Sequence, residues 1–470
     1  MSVTRTYVKY VDVGTFPQTH RAFQVTRCNQ CDDAPCVTAC PTAAMYKRPD
    51  GIVDFDKTIC IGCKACIAAC PYDAIFINPD DNSAEKCNFC AHRLDIGLEP
   101  ACVVVCPTQA ILVGDMNDSR SKVGEIIRRD PVAVRRPEKE TRPKLFYKGA
   151  RQATLDPLAA ARPQGGAFMW SEQFGGGQSV VSGHPGKANN SAAAILSYDS
   201  PHRAPWDWKV SLYTWTKSVA AGAYLIPLLL ASAGVLDPNS VLWQLVAPAL
   251  GSAFLAATGA LLIADLKHPE RFYMIFTRPQ TSSWLVMGAF LIAGYSLVLL
   301  LHLAATALAI PGLSERLALA GLPLSIMTAV YTAYLFGQAK ARDLWQSPLL
   351  APHLLVQAVL AGSAALMPLS AWLEPAALES LSWILGASCL THIVLTLGET
   401  TITHPTAHSK LAVYEMTAGR FRSYFLASVL LTFGGVAAPL IGMPSALLAL
   451  VGLLAYEHAY VQAAQAVPLA

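Results

Sequence analysis

Residues 28–41 read CNQCDDAPCVTACP, residues 60–71 read CIGCKACIAACP, and residues 87–107 read CNFCAHRLDIGLEPACVVVCP. Each stretch carries four cysteines, and the last of them stands directly before a proline. Three closely spaced thiolates can hold one iron–sulfur cluster, while the fourth, before the proline, reaches a neighbouring cluster. The pattern therefore predicts iron–sulfur binding. The predicted ligands are Cys28, Cys31, Cys36, Cys40, Cys60, Cys63, Cys66, Cys70, Cys87, Cys90, Cys102 and Cys106.

Two other uses of clustered cysteines compete with this interpretation. Zinc ribbons also contain C-x2-C pairs, but they need four ligands around each ion and no Cys-Pro after each group. A disulfide framework belongs to an oxidising compartment, and residues 1–20 show neither the apolar run of a secretory signal nor a twin arginine. Iron–sulfur chemistry accounts for all three groups at once, so we prefer it.

The composition of the chain changes near residue 205. Cysteine, charge and proline concentrate before that point, and long apolar runs follow it. Hydrophobic residues make up 53% of the 470 residues and charged residues 14%, which is too apolar for a soluble enzyme of this size. We expect an α+β ferredoxin-like iron–sulfur domain over residues 1–150, a flexible linker over residues 151–205 and an all-α transmembrane domain over residues 206–470. Nothing indicates a nucleic-acid partner.

The cluster domain should also contain short strands. Residues 51–60 (GIVDFDKTIC) and 74–80 (AIFINPD) are rich in β-branched and aromatic residues, and residues 1–27 alternate polar and apolar in places. Residues 117–150 are basic. That segment fits a solvated helix and tail, or a contact with a catalytic subunit or anionic headgroups.

Eight apolar runs follow residue 205, each about long enough to cross a bilayer as a helix. They cover residues 210–235, 240–264, 282–304, 316–337, 352–371, 380–398, 423–441 and 443–464. Eight spans place both termini on one side. The connections on that side carry eight basic residues and those on the other side one. The positive-inside rule then predicts a multi-pass protein of the inner (cytoplasmic) membrane with the cluster domain and both termini in the cytoplasm.

The cysteine groups resemble a known family. CNQCDDAPCVTACPTAAM, CIGCKACIAACPYDAI and CNFCAHRLDIGLEPACVVVCPTQAI are similar to the second, third and fourth cysteine groups of four-cluster electron-transfer subunits. Such subunits serve the dimethyl sulfoxide reductase family of molybdopterin oxidoreductases. The resemblance covers residues 20–115, and the family's first group has no counterpart here.

The resemblance implies three cluster sites. The first comprises Cys28, Cys31, Cys36 and Cys70, the second Cys40, Cys60, Cys63 and Cys66, and the third Cys87, Cys90 and Cys102. In the family, the cysteine at the position of Cys106 reaches toward the cluster of the missing group. The third site therefore either takes Cys106 as its last ligand or holds a 3Fe-4S cluster, unless the protein starts further upstream. We expect three 4Fe-4S clusters.

The membrane half resembles the NrfD-type quinone-reactive anchor that is shared with polysulfide reductase. The similar segments are YTWTKSVAAGAYLIPLLL (213–230) and LLIADLKHPERFYMIFTRPQTSSWLVMGAFLI (261–292), and residues 265–272 reproduce the family's Asp-Leu-x-x-Pro-Glu-Arg-Phe turn. The match is clear over residues 206–300. Relatives usually keep cluster subunit and anchor on separate chains, so the resemblance implies a fusion of the two, without heme.

Four polar residues at the cytoplasmic ends of the first two spans are candidates for binding quinone. A quinone needs an apolar slot with hydrogen-bond donors and a proton acceptor near its carbonyls. Tyr213, Lys217, Asp265 and His268 offer such groups next to the predicted clusters. The alternative for each residue is an interface anchor or a helix-end cap.

Further polar residues lie inside later spans, where they are costly and favour a function. His392 and Glu399 stand seven residues apart on one helix face. They fit a proton path or paired structural bonding about equally. Glu457 and His458 also lie within the last span.

The predicted protein is a non-catalytic redox subunit with quinone reactivity, which passes electrons between a cytoplasmic molybdenum or tungsten molybdopterin subunit and membrane quinone. Sulfite oxidation is the first candidate reaction for the partner, with formate or a sulfur compound as others. One alternative is a redox-driven proton-translocating module, which requires one polar track across the bilayer. Another is an electron carrier for a hydrogenase-type or heterodisulfide-type partner.

Overall fold

A computed structural model describes residues 4–15, 18–155, 195–198, 204–467 and 469. The cluster domain is built from short elements. Its strands are β1 (Tyr7–Thr15), β2 (Gln18–Thr26), β3 (Met45–Lys47), β4 (Val53–Phe55), β5 (Ile75–Ile77), β6 (Ala84–Lys86), β7 (Val132–Ala133), β8 (Tyr147–Lys148) and β9 (Ile195–Tyr198). Its helices are α1 (Pro35–Thr38), α2 (Ala65–Ala69), α3 (Ala91–Leu94), α4 (Ala101–Val104), α5 (Lys122–Arg129) and α6 (Gln152–Leu155).

All strand pairs of the cluster domain are antiparallel. The order β2-β1-β9 forms one sheet, and β3-β4, β5-β6 and β7-β8 are two-stranded. The segments 51–60 and 74–80 contain β4 and β5, which confirms the short strands predicted there. Residues 156–194 and 199–203 of the predicted linker lie outside the described residues, but β9 within it pairs with β1.

The basic segment 117–150 has two environments. On α5, Arg128 and Arg129 are partly or fully exposed, as a solvated helix requires. Arg135 is completely buried, and its guanidinium lies 5.8 Å from the centre of the Tyr72 ring. The solvated interpretation therefore holds for α5 and fails for Arg135.

The second half of the chain is helical. Its helices are α7 (Trp208–Ser232), α8 (Ala247–Asp265), α9 (Met274–Thr277), α10 (Trp284–Ala307), α11 (Leu313–Gln338), α12 (Leu350–Leu373), α13 (Leu378–Thr401), α14 (Ala407–Thr417), α15 (Arg422–Val436), α16 (Ala438–Ile441) and α17 (Pro444–Ala466). A π-helical turn, Leu242–Val246, leads into α8. A helix occurs at each of the eight predicted spans.

Six helical stretches in the described part of the chain are long and apolar enough to cross a membrane, which indicates a multi-pass membrane protein. They are Leu242–Asp265, Trp284–Ala307, Leu313–Gln338, Leu350–Leu373, Pro375–Thr401 and Pro444–Ala466. The helices α7 and α15 are not among them. α15 has only 15 residues, and α7 carries several polar residues although it is 25 residues long.

The helix α7 lies inside the bundle and packs against α8, α11, α12 and α17. Most of its residues are buried, including Lys217. At the crossing of α7 and α12 the backbones touch. A Cβ atom at Gly222 would lie 1.8 Å from the Ala358 carbonyl oxygen, and one at Gly362 would lie 2.2 Å from the Gly222 carbonyl carbon. Small residues at both positions allow this approach.

Gly222→Ala should destabilise the helical bundle, because the new methyl group meets the α12 backbone and cannot be accommodated by a side-chain rotation. We expect a loss of about 1–3 kcal/mol or more in unfolding free energy, the usual range for overpacking. Denaturant-induced unfolding in detergent measures it. The control is Gly337→Ala on α11, where an added Cβ meets nothing within 4 Å. Equal stability of the two variants would contradict the packing argument.

Candidate metal centres and membrane pocket

The four thiols of the second cluster site line one cavity in the cluster domain. Cys60 and Cys63 come from the loop before α2, Cys66 from the first turn of α2, and Cys40 from the turn after α1. The loop is tight because Gly62 and Lys64 both adopt left-handed backbone conformations with φ near 66°. The backbone N–H of Met45 points at the Cys40 sulfur at 3.3 Å. Two segments of chain thus assemble this site.

The first cluster site is built in the same way. Cys31 and Cys36 lie near Cys28 of their own group and near Cys70 of the following group. The backbone N–H of Gln30 points at the Cys28 sulfur at 3.5 Å. Each of the two sites therefore takes three thiols from one cysteine group and the fourth from the other.

The environment of these thiols fits a bound iron–sulfur cluster. Burial raises the pKa of the Cys31 thiol to about 12 and that of the Cys70 thiol to about 11. Such thiols lose their protons only when a bound metal offsets the cost of burial. No three His, Cys, Asp or Glu side chains of the described residues converge on a position for a single ion. A cubane holds its ligands further apart than one zinc ion does, so the donor set fits a cluster better.

All four cysteines of the third group are half-buried, whereas those of the first two sites are buried except for the half-buried Cys28. Cys87 lies beside Cys28, and the Arg27 guanidinium is 3.5 Å from the Cys102 sulfur. Backbone N–H groups around Cys106 lower the pKa of its thiol, and the N–H of Ala110 is 3.2 Å from the sulfur. Large apolar side chains in the same segment are exposed, namely Ile96, Leu98, Val104 and Val105.

The second cluster site docks onto the ends of the membrane helices. The backbone N–H groups of Lys267 and His268 donate to the carbonyls of Gly62 and Ile61 at 3.3 and 3.2 Å. The Trp206 indole N–H donates to the Cys63 carbonyl at 3.1 Å. Further donors to the backbone of the cluster-binding segments are Arg271, Gln280, Ser283 and Ala341. The membrane half thus donates hydrogen bonds to backbone carbonyl groups of the cluster-binding segments.

A cavity of about 270 Å³ lies between this site and the adjacent ends of α7, α8, α10 and α11. Its wall is mostly apolar and includes Cys63, a predicted cluster ligand. The polar side chains in the wall are those of Tyr213, Asp265, Tyr331 and Trp206. The Asp265 carboxylate accepts a hydrogen bond at 2.9 Å from Lys64, the residue after Cys63. One ion pair therefore links the pocket to the cluster-binding loop.

The structure places the other two quinone candidates outside this wall. The Lys217 ammonium donates to the Ala329 carbonyl and the Thr332 hydroxyl, both at 2.7 Å, and lies 5.0 Å from the centre of the Tyr331 ring. It is separated from the pocket by that ring. His268 faces the cluster domain, where its Nε2 donates to the Asp81 carbonyl at 2.8 Å.

His392 and Glu399 belong to one buried polar group that also contains His353 and Tyr456. His353 lies 2.8 Å from His392 through its Nε2 and 3.2 Å from Glu399 through its Nδ1. The Tyr456 hydroxyl donates to the same carboxylate oxygen of Glu399 at 3.1 Å. We call these four residues the histidine–glutamate cluster. His458 lies apart from it, against the Tyr424 ring.

The histidine–glutamate cluster lies in the half of the bundle next to the cluster domain. Glu399 is two residues from the end of α13, and His392 is about 14 Å from that end along the helix. A second polar group, Tyr224 with His302 at 3.1 Å, lies deeper in the bundle. Among the described residues, no hydrogen bond joins the two groups. The continuous track that a proton pump requires is therefore not formed by direct contacts.

Three residues of these sites were not identified from the sequence. Lys64 could have been noticed because it is a charged residue beside a predicted ligand, and His353 because it is a histidine in an apolar run. Tyr456 carries no such signal, since tyrosines are common in membrane helices. Its role depends on the packing of α17 against α12.

Comparison with known proteins assigns both halves of the chain. Residues 19–116 match the 4Fe-4S dicluster domain, and residues 197–451 match polysulphide reductase, NrfD. A tetrathionate reductase subunit of Salmonella typhimurium is 39% identical over 148 residues, which cover 31% of this chain and 58% of that protein. A polysulfide reductase component of Wolinella succinogenes is 48% identical over 120 residues, 25% of this chain and 63% of that protein.

A third relative is the arsenate respiratory reductase iron-sulfur subunit ArrB of a Shewanella species, 36% identical over 182 residues that cover 28% of this chain and 78% of that protein. The chain spans less than two thirds of the length of the Salmonella and Wolinella proteins. These relatives match the cluster domain, whereas the NrfD match covers more than half of the chain. The protein therefore belongs to the polysulphide reductase NrfD family, and it fuses that membrane domain to an iron–sulfur domain of the dimethyl sulfoxide reductase electron-transfer type.

Proposed function

We propose that this protein is the electron-transfer and membrane-anchor subunit of a respiratory molybdopterin oxidoreductase complex. It would pass electrons between a separate molybdenum or tungsten subunit and membrane quinone. The observation that carries this proposal is the pocket whose wall contains both the cluster ligand Cys63 and the carboxylate of Asp265. Sulfite oxidation remains our first candidate for the partner's reaction. The names of the relatives add tetrathionate, polysulfide and arsenate as further substrate classes.

The three cluster sites suggest an order for electron transfer. When bound, the clusters supply one-electron carriers. The second site touches the pocket, and the third site lies in a segment with exposed apolar side chains, including Val104 and Val105. Exposed apolar patches commonly mark protein–protein contacts. We therefore place the catalytic subunit at the third site and quinone at the second.

The pocket supplies the groups that quinone chemistry needs. Its apolar wall suits a quinone ring. The Tyr213 hydroxyl is buried and has no hydrogen-bond partner among the described residues, so it can donate to a quinone carbonyl. Asp265 contributes a carboxylate to the pocket wall and can exchange a proton with quinol. Lys217 acts on the pocket indirectly, through the Tyr331 ring and the Thr332 hydroxyl. His268 holds the turn at residues 265–272 against the cluster domain.

The histidine–glutamate cluster is our candidate for the proton path between the pocket and the adjacent membrane surface. The Glu457 carboxyl is close enough to both Lys217 and His353 for their charges to act on it, so it connects the residues near the pocket with this cluster. One oxygen of Glu457 and one of Glu399 are buried without a hydrogen-bond partner in the part of the chain that the structure describes. Buried polar atoms of this kind are commonly satisfied by water. The path leads to the side of the cluster domain, which favours local proton exchange over pumping.

Eight membrane crossings remain our interpretation of the helical half. The Lys9 ammonium donates to the Leu469 carbonyl at 2.5 Å, so the C-terminal end lies on the side of the cluster domain. Adding α7 and α15 to the six apolar stretches gives eight crossings, an even number that returns the C-terminal end to the side of the cluster domain. α7 can be less apolar because its neighbours shield it from lipid.

We place the cluster domain in the cytoplasm on the basis of the charge bias, although the structure gives some of the basic residues another role. Four of them donate to main-chain carbonyls of the cluster domain or the C-terminal segment, namely Arg271, Lys340, Arg342 and Arg420. Only the remaining basic residues are explained by membrane topology alone. The orientation of the cluster domain relative to the membrane is therefore tested directly with the reporter fusions described below.

The cluster count can be tested by iron analysis of the purified full-length chain. Three cubanes correspond to about 12 iron atoms per chain. Cys31→Ser and Cys70→Ser should alter the same electron paramagnetic resonance signal, because both residues serve the first site. Cys106→Ser should remove the third signal if Cys106 is its last ligand. About 8 iron atoms and no third signal would contradict the three-cluster proposal.

The quinone site can be tested with Tyr213→Phe and Asp265→Asn. Each should lower quinone-linked turnover of the whole complex, by about 10²-fold for the loss of a general acid–base group. Iron content and activity with artificial dyes should not change. Asp237→Asn, an exposed aspartate at the other end of α7, is the control. If both pocket variants keep full quinone-linked activity, the quinone binds elsewhere.

The orientation can be tested with reporters fused after Ala470. The positive-inside rule predicts that a cytoplasmic reporter is active there and that alkaline phosphatase is inactive. Alkaline phosphatase activity at this position would show that the cluster domain and the C-terminus lie outside the cytoplasm. The same fusion to a chain truncated after residue 401 tests the number of spans, because six crossings precede that point in our topology.

A further inference from the structure

Lys86 is a buried cation that the sequence patterns do not single out. It is the last residue of β6 and stands directly before Cys87. Its side chain is completely buried, and its ammonium donates to the carbonyls of Val53 and, at 3.2 Å, of Cys87. It also lies 6.0 Å from the centre of the Phe55 ring. In the described part of the chain it forms no ion pair with a carboxylate.

This ammonium group is connected to two of the cluster sites by hydrogen bonds. The Cys87 carbonyl to which it donates also accepts from the Gln30 side chain at 3.0 Å, and the backbone N–H of Gln30 points at the Cys28 sulfur at 3.5 Å. The ammonium faces the thiols of Cys28 and Cys36 in the first site and of Cys87 in the third. Asp54 is close enough for its charge to act on Lys86, but its carboxylate accepts from the backbone N–H of Phe55 instead. The positive charge of Lys86 is therefore directed at the thiolates of both sites.

The second site shows the opposite arrangement. Its adjacent lysine, Lys64, is paired with the Asp265 carboxylate at 2.9 Å. A paired lysine adds little net charge to its surroundings, whereas an unpaired one inside a protein exerts a field that water would otherwise screen. The charge environment thus distinguishes the first and third sites from the second.

A cluster gains one negative charge when it is reduced, and its reduction potential depends on nearby charge, on hydrogen bonds to sulfur and on exposure. We propose that Lys86 tunes the redox chain by raising the reduction potentials of both the first and the third cluster, and that it leaves the second nearly unaffected. This inference rests on the proposed function in that it needs clusters at these sites. In the proposed electron-transfer sequence, Lys86 therefore stabilises an electron on the first or the third cluster, the two that lie furthest from quinone.

A purely structural role for Lys86 is the alternative, because the ammonium also ties two carbonyls together. Lys86→Gln removes the charge but keeps a hydrogen-bond donor, Lys86→Met removes both, and Lys86→Arg keeps both. If the role of Lys86 is structural, Lys86→Gln should have midpoint potentials close to those of Lys86→Arg. If the charge of Lys86 sets the potentials, Lys86→Gln should instead resemble Lys86→Met. The control is Lys148→Gln, since Lys148 is exposed and pairs with Asp130.

The experiment is a redox titration of the purified full-length chain followed by electron paramagnetic resonance, with Cys31→Ser and Cys90→Ser assigning the first and third signals. We expect Lys86→Gln and Lys86→Met to shift the midpoint potentials of both signals to more negative values. Lys86→Arg and Lys148→Gln should leave them near those of the wild type, and the second signal should move in none of them.

Three outcomes would overturn the proposal. They are unchanged potentials in both neutral variants, a shift of only the second signal, or loss of iron in both neutral variants, which would assign Lys86 to cluster assembly. Iron content and signals of the wild type are measured first. A wild type without first and third signals refutes the proposed cluster sites themselves, whereas a wild type with them and no shift refutes only the role of Lys86.

Discussion

The close contact between the loop at residues 60–66 and the turn at residues 265–271 is the constraint on which the rest of the structure depends. The loop holds three thiols of the second cluster site, so its carbonyls point outward and need donors. The turn after α8 supplies backbone N–H groups for Gly62 and Ile61. A side chain at Gly62 would collide with Lys267, because a Cβ there would lie 2.4 Å from the Lys267 Cβ. The contact therefore requires both the left-handed backbone and the missing side chain of glycine.

This contact determines the position of the pocket. The ligand Cys63 lies in its wall only because the loop sits directly on the ends of α7 and α8. The ion pair of Lys64 with Asp265 crosses the same boundary. A displacement of the cluster domain would separate the predicted electron carrier from the predicted proton acceptor. Rigid docking thus serves both halves of the proposed reaction, since electrons and protons reach quinone together.

The membrane half is organised by the need to satisfy buried polar groups. Lys217 obtains acceptors from α11, and His353 on α12 joins His392 and Glu399 on α13. Such groups are tolerated in a bilayer only where other helices cover them. For that reason α7, which carries Lys217 and several hydroxyl side chains near the pocket, lies inside the bundle. The same burial explains why α7 can be more polar than the six stretches that are apolar enough to cross a membrane.

The sequence by itself determined the iron–sulfur chemistry, the two-part organisation and the positions of the helices, because thiol spacing and apolar run length are local properties. It also placed Tyr213 and Asp265 near one another, since both lie at the ends of neighbouring spans. Only the tertiary structure decided that these two residues line the pocket, that Lys217 lies behind Tyr331 and that His268 turns to the cluster domain. It likewise brought Lys64 to Asp265 and His353 to Glu399. Such pairs are 201 and 46 residues apart in the chain, and the direction of a side chain at a helix end depends on packing that no local pattern records.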